Sequence, residues 1–416
     1  MEWRISQTII QVRKEGNMLK EERKEKVIQL CRDLVKAKSY SGEEQHAACV
    51  LQDFMKCEID GEKIFDEVKV DGYGNVIGVI KGKRPGNKVL FDGHIDTVPV
   101  QDETKWSHKP FEAEICDGKI YGRGTSDMKG AVAAMANAAV NFAVDMHKDF
   151  AGEIYVAGVV HEECFEGVAA RSISALVKPD YVVIGEASNL NLKIGQRGRG
   201  EVKVETFGVP AHSANPEKGI NAVYGMCKVV EAIRQIKAPH HEVLGDGILE
   251  LTDIKSSPYP GASVVPEYCM ATYDRRLLVG ETKESVIAPI QEILDQLMET
   301  DHKLKAKVSF ATGEEKCYTG NTIQGERFFP GWLFEKEEPF IQKIMNSLYQ
   351  GGFKPEITQY NFCTNGSHYA GEAGIRTIGM GPSQENLAHT IDEYIEIDQL
   401  IKVTECYYCI MQALNQ

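Results

Sequence analysis

The stretch "NKVLFDGHID", residues 87–96, predicts a β-strand that is buried along its length and ends on polar residues. Val89, Leu90 and Phe91 form the unbroken apolar run that is typical of a strand covered on both faces. The run then reaches His94 and Asp96, whose side chains point to the same side of an extended segment because they are two residues apart. Taken alone, this pair favours an exposed polar turn after a core strand. Whether it has a functional role depends on motifs elsewhere in the chain.

Strand and helix patterns alternate on both sides of this stretch. Two helices are predicted in residues 21–39 and 41–57, the second opening with a cap signal at Ser41. The sequence "DGYGN" (71–75) predicts a hairpin. A small-residue helix at 130–146 then precedes further strands, among them "GEIYVAGVV" and "YVVIGEA". This alternation predicts an α/β fold with a mostly parallel sheet.

A different order of elements runs from residue 193 to residue 312. The patterns there follow the order strand, helix, strand, strand, helix, strand, which is that of a ferredoxin-like (βαββαβ) unit. Helix, strand and helix patterns resume afterwards and complete the first domain. We therefore predict one α/β domain in two parts, residues 18–192 and 313–416, with a ferredoxin-like domain inserted at 193–312.

The composition excludes several classes of protein. The chain has 416 residues, enough for two domains with substantial cores, and its formal net charge of −14 argues against nucleic-acid or anionic-membrane partners. It contains neither an apolar run of about 18 residues, as a membrane span requires, nor a signal-peptide pattern. Eleven scattered cysteines, an odd number, favour reduced thiols and therefore a cytoplasmic location.

The N-terminus leaves two interpretations open. Residues 13–16 (Arg-Lys-Glu-Gly) can be encoded by a purine-rich run resembling a bacterial ribosome-binding site before Met18. Translation would then begin at Met18, and residues 1–17 would be a misread leader. The alternative is an ordinary N-terminal extension, and the intact mass of the natively expressed protein separates the two.

Three motifs place carboxylates and histidines at or just beyond the carboxyl ends of predicted strands, and a fourth lies in a glycine-rich loop just before a predicted helix. They are His94 with Asp96, "HEE" at 161–163, Glu186 in "GEAS", and Asp127 in the glycine-rich "GRGTSDMKG" (122–130). Ligands of open α/β sheets gather at this edge. Carboxylates brought together there would repel one another unless a cation held them, and mixed histidine and carboxylate ligands suit zinc, cobalt or manganese.

Together and in this order, the motifs resemble the M20-type metallohydrolases, which include acetylornithine deacetylase, succinyl-diaminopimelate desuccinylase, aminoacylases and several peptidases. The resemblance covers about residues 25–410. It is strongest toward the selenium-metabolism-linked hydrolases, through "GQRGRGEVKVETFGVPAHSANPEKGINAV" (195–223), "YDRRLLVGET" (273–282) and "FCTNGS" (362–367). It implies that the α/β domain is a metal-binding catalytic domain and that the insertion is a lid that also forms a dimer.

The resemblance also implies two divalent metal ions, zinc first and cobalt or manganese as alternatives, bridged by a carboxylate and a water molecule. The implied ligands are His94, Asp127, Glu163, Glu186 and His389, with Asp127 shared between the ions. Three carboxylates and a bridging hydroxide carry a charge of −4, which balances two divalent ions when both histidines are neutral. Asp96 would then accept a hydrogen bond from the far ring nitrogen of His94 and orient the ring.

Further residues take roles by the same resemblance. Glu162 would act as general base and later as acid, since its neighbour Glu163 coordinates metal. His212, in "GVPAHSANP", would contact the tetrahedral intermediate across a dimer interface, and the alternative is a lid-surface histidine that caps a turn. Arg276 would pair with a substrate carboxylate, with Arg275 as the competing choice.

Three weaker candidates for holding substrate oxygens are Asn221, Thr364 and Asn365, which lie in glycine-flanked turns. The predicted function is that of a dinuclear-metal amidohydrolase, a deacylase that cleaves the amide of an N-acyl amino acid-like small molecule. Alternatives are a metallo-dipeptidase, a carbamoyl-amino-acid amidohydrolase, and a catalytically silent metal- or ligand-binding relative. The expected partners are a carboxylate-bearing small molecule and a second copy of the chain.

Overall fold

The computed structural model describes residues 19–59 and 61–415 of the chain. The predicted start at Met18 and the predicted leader at 1–17 lie outside these residues. Within them, no helix has the length and apolar character that crossing a membrane demands.

The helices are α1 (Glu21–Lys36), α2 (Gln45–Lys56), α3 (Gly130–Asp145), α4 (Val168–Val177), α5 (Ala222–Ile233), α6 (Lys283–Thr300), α7 (Pro339–Gln350) and α8 (Ile397–Leu414). The first strands are β1 (Glu58–Ile59), β2 (Glu62–Lys63), β3 (Glu67–Val70), β4 (Val76–Lys81), β5 (Arg84–His94), β6 (Glu114–Cys116), β7 (Lys119–Tyr121), β8 (Ala151–Val159), β9 (Tyr181–Ile184) and β10 (Leu192–Gln196). There follow β11 (Gly198–Phe207), β12 (His240–His241), β13 (Gly245–Asp246), β14 (Ile248–Ser257), β15 (Tyr268–Leu277) and β16 (Lys305–Phe310). The last strands are β17 (Thr312–Lys316), β18 (Thr322–Glu326), β19 (Phe328–Phe329), β20 (Trp332–Leu333), β21 (Ile357–Tyr360), β22 (Arg376–Gly379) and β23 (Tyr394–Glu396).

The large sheet is mixed, which corrects the prediction of a mostly parallel one. Its order is β20-β10-β22-β9-β5-β8-β4-β3, with β21 beside β10. The centre, β22-β9-β5-β8, is parallel, but β3, β4 and β10 pair antiparallel with their neighbours on that path. Parallel neighbours need a long crossover, whereas the links from β3 to β4, β4 to β5 and β9 to β10 contain no helix and reverse the chain.

The opening stretch forms the middle of this sheet. Strand β5 lies between β8 and β9, and its residues from Val89 to His94 are buried. Helix α3 packs against α1 and α8, and its alanines and glycine let neighbouring elements approach closely on nearly every side. Cys406 and Cys409 are buried in α8, as their apolar surroundings suggested, and they form no disulfide within the described residues.

The residues between β11 and β16, called here the inserted unit, form a second sheet with its own apolar cluster. Their order is β11-α5-β14-β15-α6-β16, and the antiparallel strands lie in the order β14-β15-β11-β16. The boundaries differ from the prediction, because β10 belongs to the large sheet and β19, beyond residue 312, pairs with β11. Strand β14 is an edge strand with a largely exposed surface.

Candidate metal centre

Three parallel strands end side by side and deliver polar residues to one place. His94 ends β5 opposite Val159 of β8, and Asp92 lies opposite Ile184 of β9. The turn that follows β8 carries Glu162 and Glu163, and the segment after β9 carries Glu186. The carboxyl ends of parallel strands share an edge, so these residues converge because of the sheet topology.

Asp127 lies between the two histidines and offers one carboxylate oxygen to each. Its Oδ1 is 2.8 Å from Nε2 of His94, and its Oδ2 is 3.1 Å from Nε2 of His389. His389 comes from the loop before β23, more than 250 positions along the chain from Asp127. A carboxylate approached from two sides in this way has the arrangement of a bridging ligand.

The other carboxylates divide between the two histidines. Glu186 Oε1 lies 3.5 Å from His94 Nε2, whereas Glu163 Oε2 lies 3.0 Å from His389 Nε2. Glu162 Oε2 is 4.0 Å from His94 Nε2, and Glu162 Oε1 is buried without a hydrogen-bond partner. Glu162 therefore lies inside the cluster, close enough to bind a cation. Its distances alone do not decide whether it acts as a general base or as a metal ligand.

Asp96 supports this cluster differently from the prediction. His94 Nδ1 lies 2.9 Å from the backbone oxygen of Asp96 and 3.5 Å from its carboxylate, so the main chain is the nearer acceptor. The Asp96 carboxylate instead accepts backbone N–H groups of Glu162 and Glu163, at 3.1 and 3.2 Å, and the Ser41 hydroxyl at 2.7 Å. Ser41, predicted as a helix cap, thus contacts the centre.

The sequence did not single out Glu393, which fixes the loop carrying Asp127. Its carboxylate accepts the backbone N–H groups of Gly124, Ser126 and Asp127, and it accepts Arg123 Nη1 at 2.6 Å. Burial raises the pKa of Glu393 to about 7, and the Arg123 guanidinium and the N–H donors of Gly124 and Ser126 limit this rise. An acidic residue four positions after His389 gave no signal of this use.

The surrounding protein shifts the pKa values of these groups away from their usual ranges. Burial raises the pKa of Glu186 to about 8 and that of Glu162 well above its usual range. Burial by itself would lower the pKa of His94, but Asp127 and Asp96 raise it. Hydrogen bonds with Asp127 and Glu163 raise the pKa of His389 to about 10. The cluster thus carries an excess of negative charge that protons offset.

Divalent cations fit this donor set. Ligand atoms of His94, Glu162 and Glu186 all lie within 4.8 Å of one another, as do those of His94, Asp127 and Glu163. Cations in these positions would replace the protons and relieve the repulsion among carboxylates. Imidazole nitrogens together with carboxylate oxygens are ligands that zinc, cobalt and manganese accept.

Two predicted residues lie in the inserted unit. His212 is exposed, and its Nδ1 accepts the N–H of Ala214, as the turn-capping interpretation predicts. Within the described chain it makes no hydrogen bond or ion pair with the predicted ligands. Arg276 is 28% exposed and donates to Asp274, whereas Arg275 is buried and pairs with Glu281. Of the two arginines, Arg276 is therefore the one available to a substrate.

The structure gives the three weaker candidates structural uses. Asn221 Oδ1 caps α5 by accepting two backbone N–H groups. Thr364 is fully buried and donates to Gln196, while its hydroxyl oxygen accepts the Gly366 N–H. Asn365 is buried, and both ends of its amide are occupied, by Asp92 and by the N–H of Gly167. Thr364 and Asn365 are buried with these hydrogen bonds satisfied, which leaves them little capacity for a ligand, whereas Asn221 is only partly buried. The substrate role of all three stays a prediction.

Comparison with known proteins identifies chains that are similar to this one in sequence or in fold. Residues 90–413 match the model described as peptidase family M20/M25/M40. The protein YgeY of Escherichia coli K12 is 32% identical over 386 residues, covering 91% of this chain and 92% of YgeY. Succinyl-diaminopimelate desuccinylase 2 of a Ruegeria species is 26% identical, covering 92% and 94%. The solved Bacillus subtilis YXEP protein, described as a dinuclear metal-binding M20 peptidase, aligns at 12% identity with a TM-score of 0.67, covering 95% and 98%.

Proposed function

Because the chain belongs to peptidase family M20/M25/M40, whose members hydrolyse C–N bonds, we propose that it is a dinuclear-metal deacylase. Its substrate would be the amide of a small N-acyl amino acid-like molecule. The observation that carries the proposal is the position of Asp127, whose two oxygens face His94 and His389. A single carboxylate between two histidines, each with a second carboxylate beside it, supports a pair of metal ions.

The proposed ligands are His94 and Glu186 for one ion and His389 and Glu163 for the other, with Asp127 shared. Zinc is the first choice, and cobalt and manganese fit the same donors. When bound, the ions supply Lewis acidity, which polarises a substrate carbonyl and lowers the pKa of water toward about 7.

Glu162 is the proposed general base. Its carboxylate lies inside the cluster, and Asp96 holds the backbone of the turn through the N–H groups of Glu162 and Glu163. Glu162 would take a proton from the attacking water and deliver it to the leaving nitrogen. The unpartnered Oε1 of Glu162 leaves one oxygen available for this transfer.

Arg276 is the proposed contact for a substrate carboxylate. Its guanidinium is partly exposed. Among the described residues, its hydrogen bond to Asp274 uses Nη2, so N–H groups on the other two nitrogens remain for a ligand. A guanidinium binds a carboxylate through two parallel hydrogen bonds, which favours substrates that carry an acidic group beside the amide.

We also propose a cytoplasmic homodimer joined through the inserted unit. Strand β14 is an exposed edge carrying the apolar residues Ile248 and Ile254. His212 of each subunit would then reach the metal centre of the other. The eleven cysteines form no disulfide within the part of the chain that the structure describes, which is compatible with a reducing compartment.

The test is amine release from a panel of N-acyl amino acids, dipeptides and carbamoyl amino acids. The protein is stripped of metal and reloaded with zinc, cobalt or manganese. Release that depends on metal and occurs with N-acyl amino acids supports the proposal, and release from dipeptides or carbamoyl compounds alone replaces it with one of those activities. The Glu162→Gln variant should keep two ions per chain and lose about 100- to 10,000-fold in kcat. Retained activity in this variant removes Glu162 from the mechanism.

A further inference from the structure

The turn that carries Glu162 and Glu163 is held from the side of the inserted unit. Glu166, at the end of this turn, is buried and accepts Nη1 of Arg199 at 2.7 Å. Arg199 lies on β11, the first strand of the inserted unit, so the ion pair joins the turn after β8 to the inserted unit. The pair lies only four residues beyond Glu162.

A second guanidinium contacts the same turn. Arg327, just before β19, donates from Nη1 to the backbone oxygen of Cys164 at 3.1 Å, and it lies 5.0 Å from the centre of the Phe165 ring. Arg327 is tied to the inserted unit through Glu201, whose carboxylate is 3.6 Å from Arg327 Nε. The turn therefore meets two arginines, each anchored on or beside β11.

The charges continue from this turn to the proposed substrate contact. Arg199 Nε is 3.9 Å from Asp274 Oδ1, and the other oxygen of Asp274 accepts Arg276 Nη2 at 3.0 Å. Glu166 Oε2 and Asp274 Oδ1 are both buried without a hydrogen-bond partner of their own. Arg199 is therefore the near counter-charge of Glu166 and a second, more distant one for Asp274 beside Arg276, and a buried carboxylate without a counter-charge is costly.

We propose that Arg199 is a positioning residue whose ion pair with Glu166 sets the orientation of the Glu162 turn. This inference rests on the proposed function, in which Glu162 is the base. The ion pair makes the placement of Glu162 depend on where the inserted unit sits against the α/β domain. Displacing a catalytic group by about 1 Å is enough to lower a rate about 100-fold.

The test compares Arg199→Ala, Glu166→Gln and the double variant, each fully loaded with metal. We expect each single variant to lose about 10- to 100-fold in kcat, with KM within about twofold and two ions retained per chain. The double variant should lose no more than either single variant, because both remove the same interaction. Arg199→Lys, which keeps the charge, should recover most of the kcat lost in Arg199→Ala.

The matched control is Arg171→Ala, which removes another guanidinium from a carboxylate at 2.6 Å, that of Glu372. It should leave kcat within about twofold, since Arg171 does not contact the Glu162 turn. A rise in KM with unchanged kcat in Arg199→Ala would make Arg199 a substrate contact and overturn the inference. Additive losses in the double variant would overturn it as well.

Hydrogen exchange separates this inference from the proposed function. Backbone amides of residues 161–167 should exchange faster in Arg199→Ala than in the unaltered protein and in Arg171→Ala. Unchanged exchange in Arg199→Ala overturns the positioning role even if no panel substrate is hydrolysed. Faster exchange supports that role even where the absence of turnover refutes the deacylase.

Discussion

At the scale of single residues, Glu393 fixes the position of the carboxylate that the two histidines share. Its carboxylate accepts three backbone N–H groups from the loop that carries Asp127 and also binds the guanidinium of Arg123. The Glu393 side chain is fully buried. The loop itself is rich in glycine and would otherwise have many conformations. The position of Asp127 therefore depends on a residue from the far end of the chain.

We predict that Glu393→Gln lowers the free energy of unfolding by roughly 3 kcal/mol, because Arg123 is left buried without its carboxylate. Urea unfolding at pH 7 measures this change. The matched control is Asp398→Asn, which removes the exposed carboxylate beside Lys402 and should cost less than about 0.5 kcal/mol. Equal effects of the two substitutions would contradict the role of Glu393.

Asn365 provides a second prediction at this scale. It joins Asp92, two residues before His94, to the N–H of Gly167 at the end of the Glu162 turn. Asn365→Ala should cost about 2 kcal/mol of unfolding free energy by leaving these groups unpaired, with KM unchanged. Asn361→Ala, at an exposed site, is the control. Raised KM without loss of stability would instead restore Asn365 as a substrate contact.

At the scale of elements, an ion pair connects α4 to the segment 367–372. Glu372 accepts two hydrogen bonds from Arg171 of α4 and a third from His368. Burial alone would raise the pKa of Glu372, but the hydrogen bonds from His368 and Arg171 lower it to about 2. The pair thus links a helix that follows the Glu162 turn to the segment that follows Asn365.

This lowered pKa predicts a pH dependence of stability. An acid whose pKa is lower in the folded state stabilises the fold above its unfolded pKa, here 4.5, and loses that contribution as pH falls toward about 2. Glu372→Gln should therefore cost about 1–2 kcal/mol at pH 7 and about a quarter of that near pH 2.5. Unfolding of both proteins across this range tests it. A difference that stays constant with pH would refute the assignment.

Other elements show how far sequence patterns reach. The hairpin at 71–75 forms as predicted, because Asp71 accepts the N–H groups of Tyr73, Gly74 and Asn75 and so closes the turn locally. The mixture of parallel and antiparallel strands in the large sheet was not predictable in the same way. It depends on which strands become neighbours, as when β8 inserts between β5 and β4, and no local pattern encodes that choice.

At the scale of the whole molecule, metal binding should contribute to stability. We predict that zinc, cobalt or manganese at 1,000 times its dissociation constant raises the free energy of unfolding by about 4 kcal/mol. Chelation should reverse the gain. Asp127→Asn should abolish it, whereas Asp149→Asn, an exposed residue beside Arg84, should leave it intact. An equal gain in Asp127→Asn would place the metal elsewhere.

Assembly gives the last prediction. Light scattering should give twice the chain mass of 46.3 kDa, and Ile254→Lys on the edge strand β14 should give the single-chain mass. A lysine on an edge strand discourages pairing with a second edge. Ile115→Lys, at a similarly exposed isoleucine outside the inserted unit, should leave the dimer intact. A monomer in the unaltered protein would refute the proposed dimer.

The sequence by itself determined which residue types meet at the strand ends. Periodicity and turn residues are local properties, so the buried strand at 87–96 and the helices could be predicted from short stretches. The ligand set His94, Asp127, Glu163, Glu186 and His389 was implied by the resemblance to the M20-type metallohydrolases. Only the tertiary structure decided how those residues are held. Glu393, Asp96 and the pair Arg199–Glu166 act through contacts between segments that are distant in the chain. The burial of Thr364 and Asn365 and their hydrogen-bond partners were decided in the same way, because both arise only when the sheets pack together.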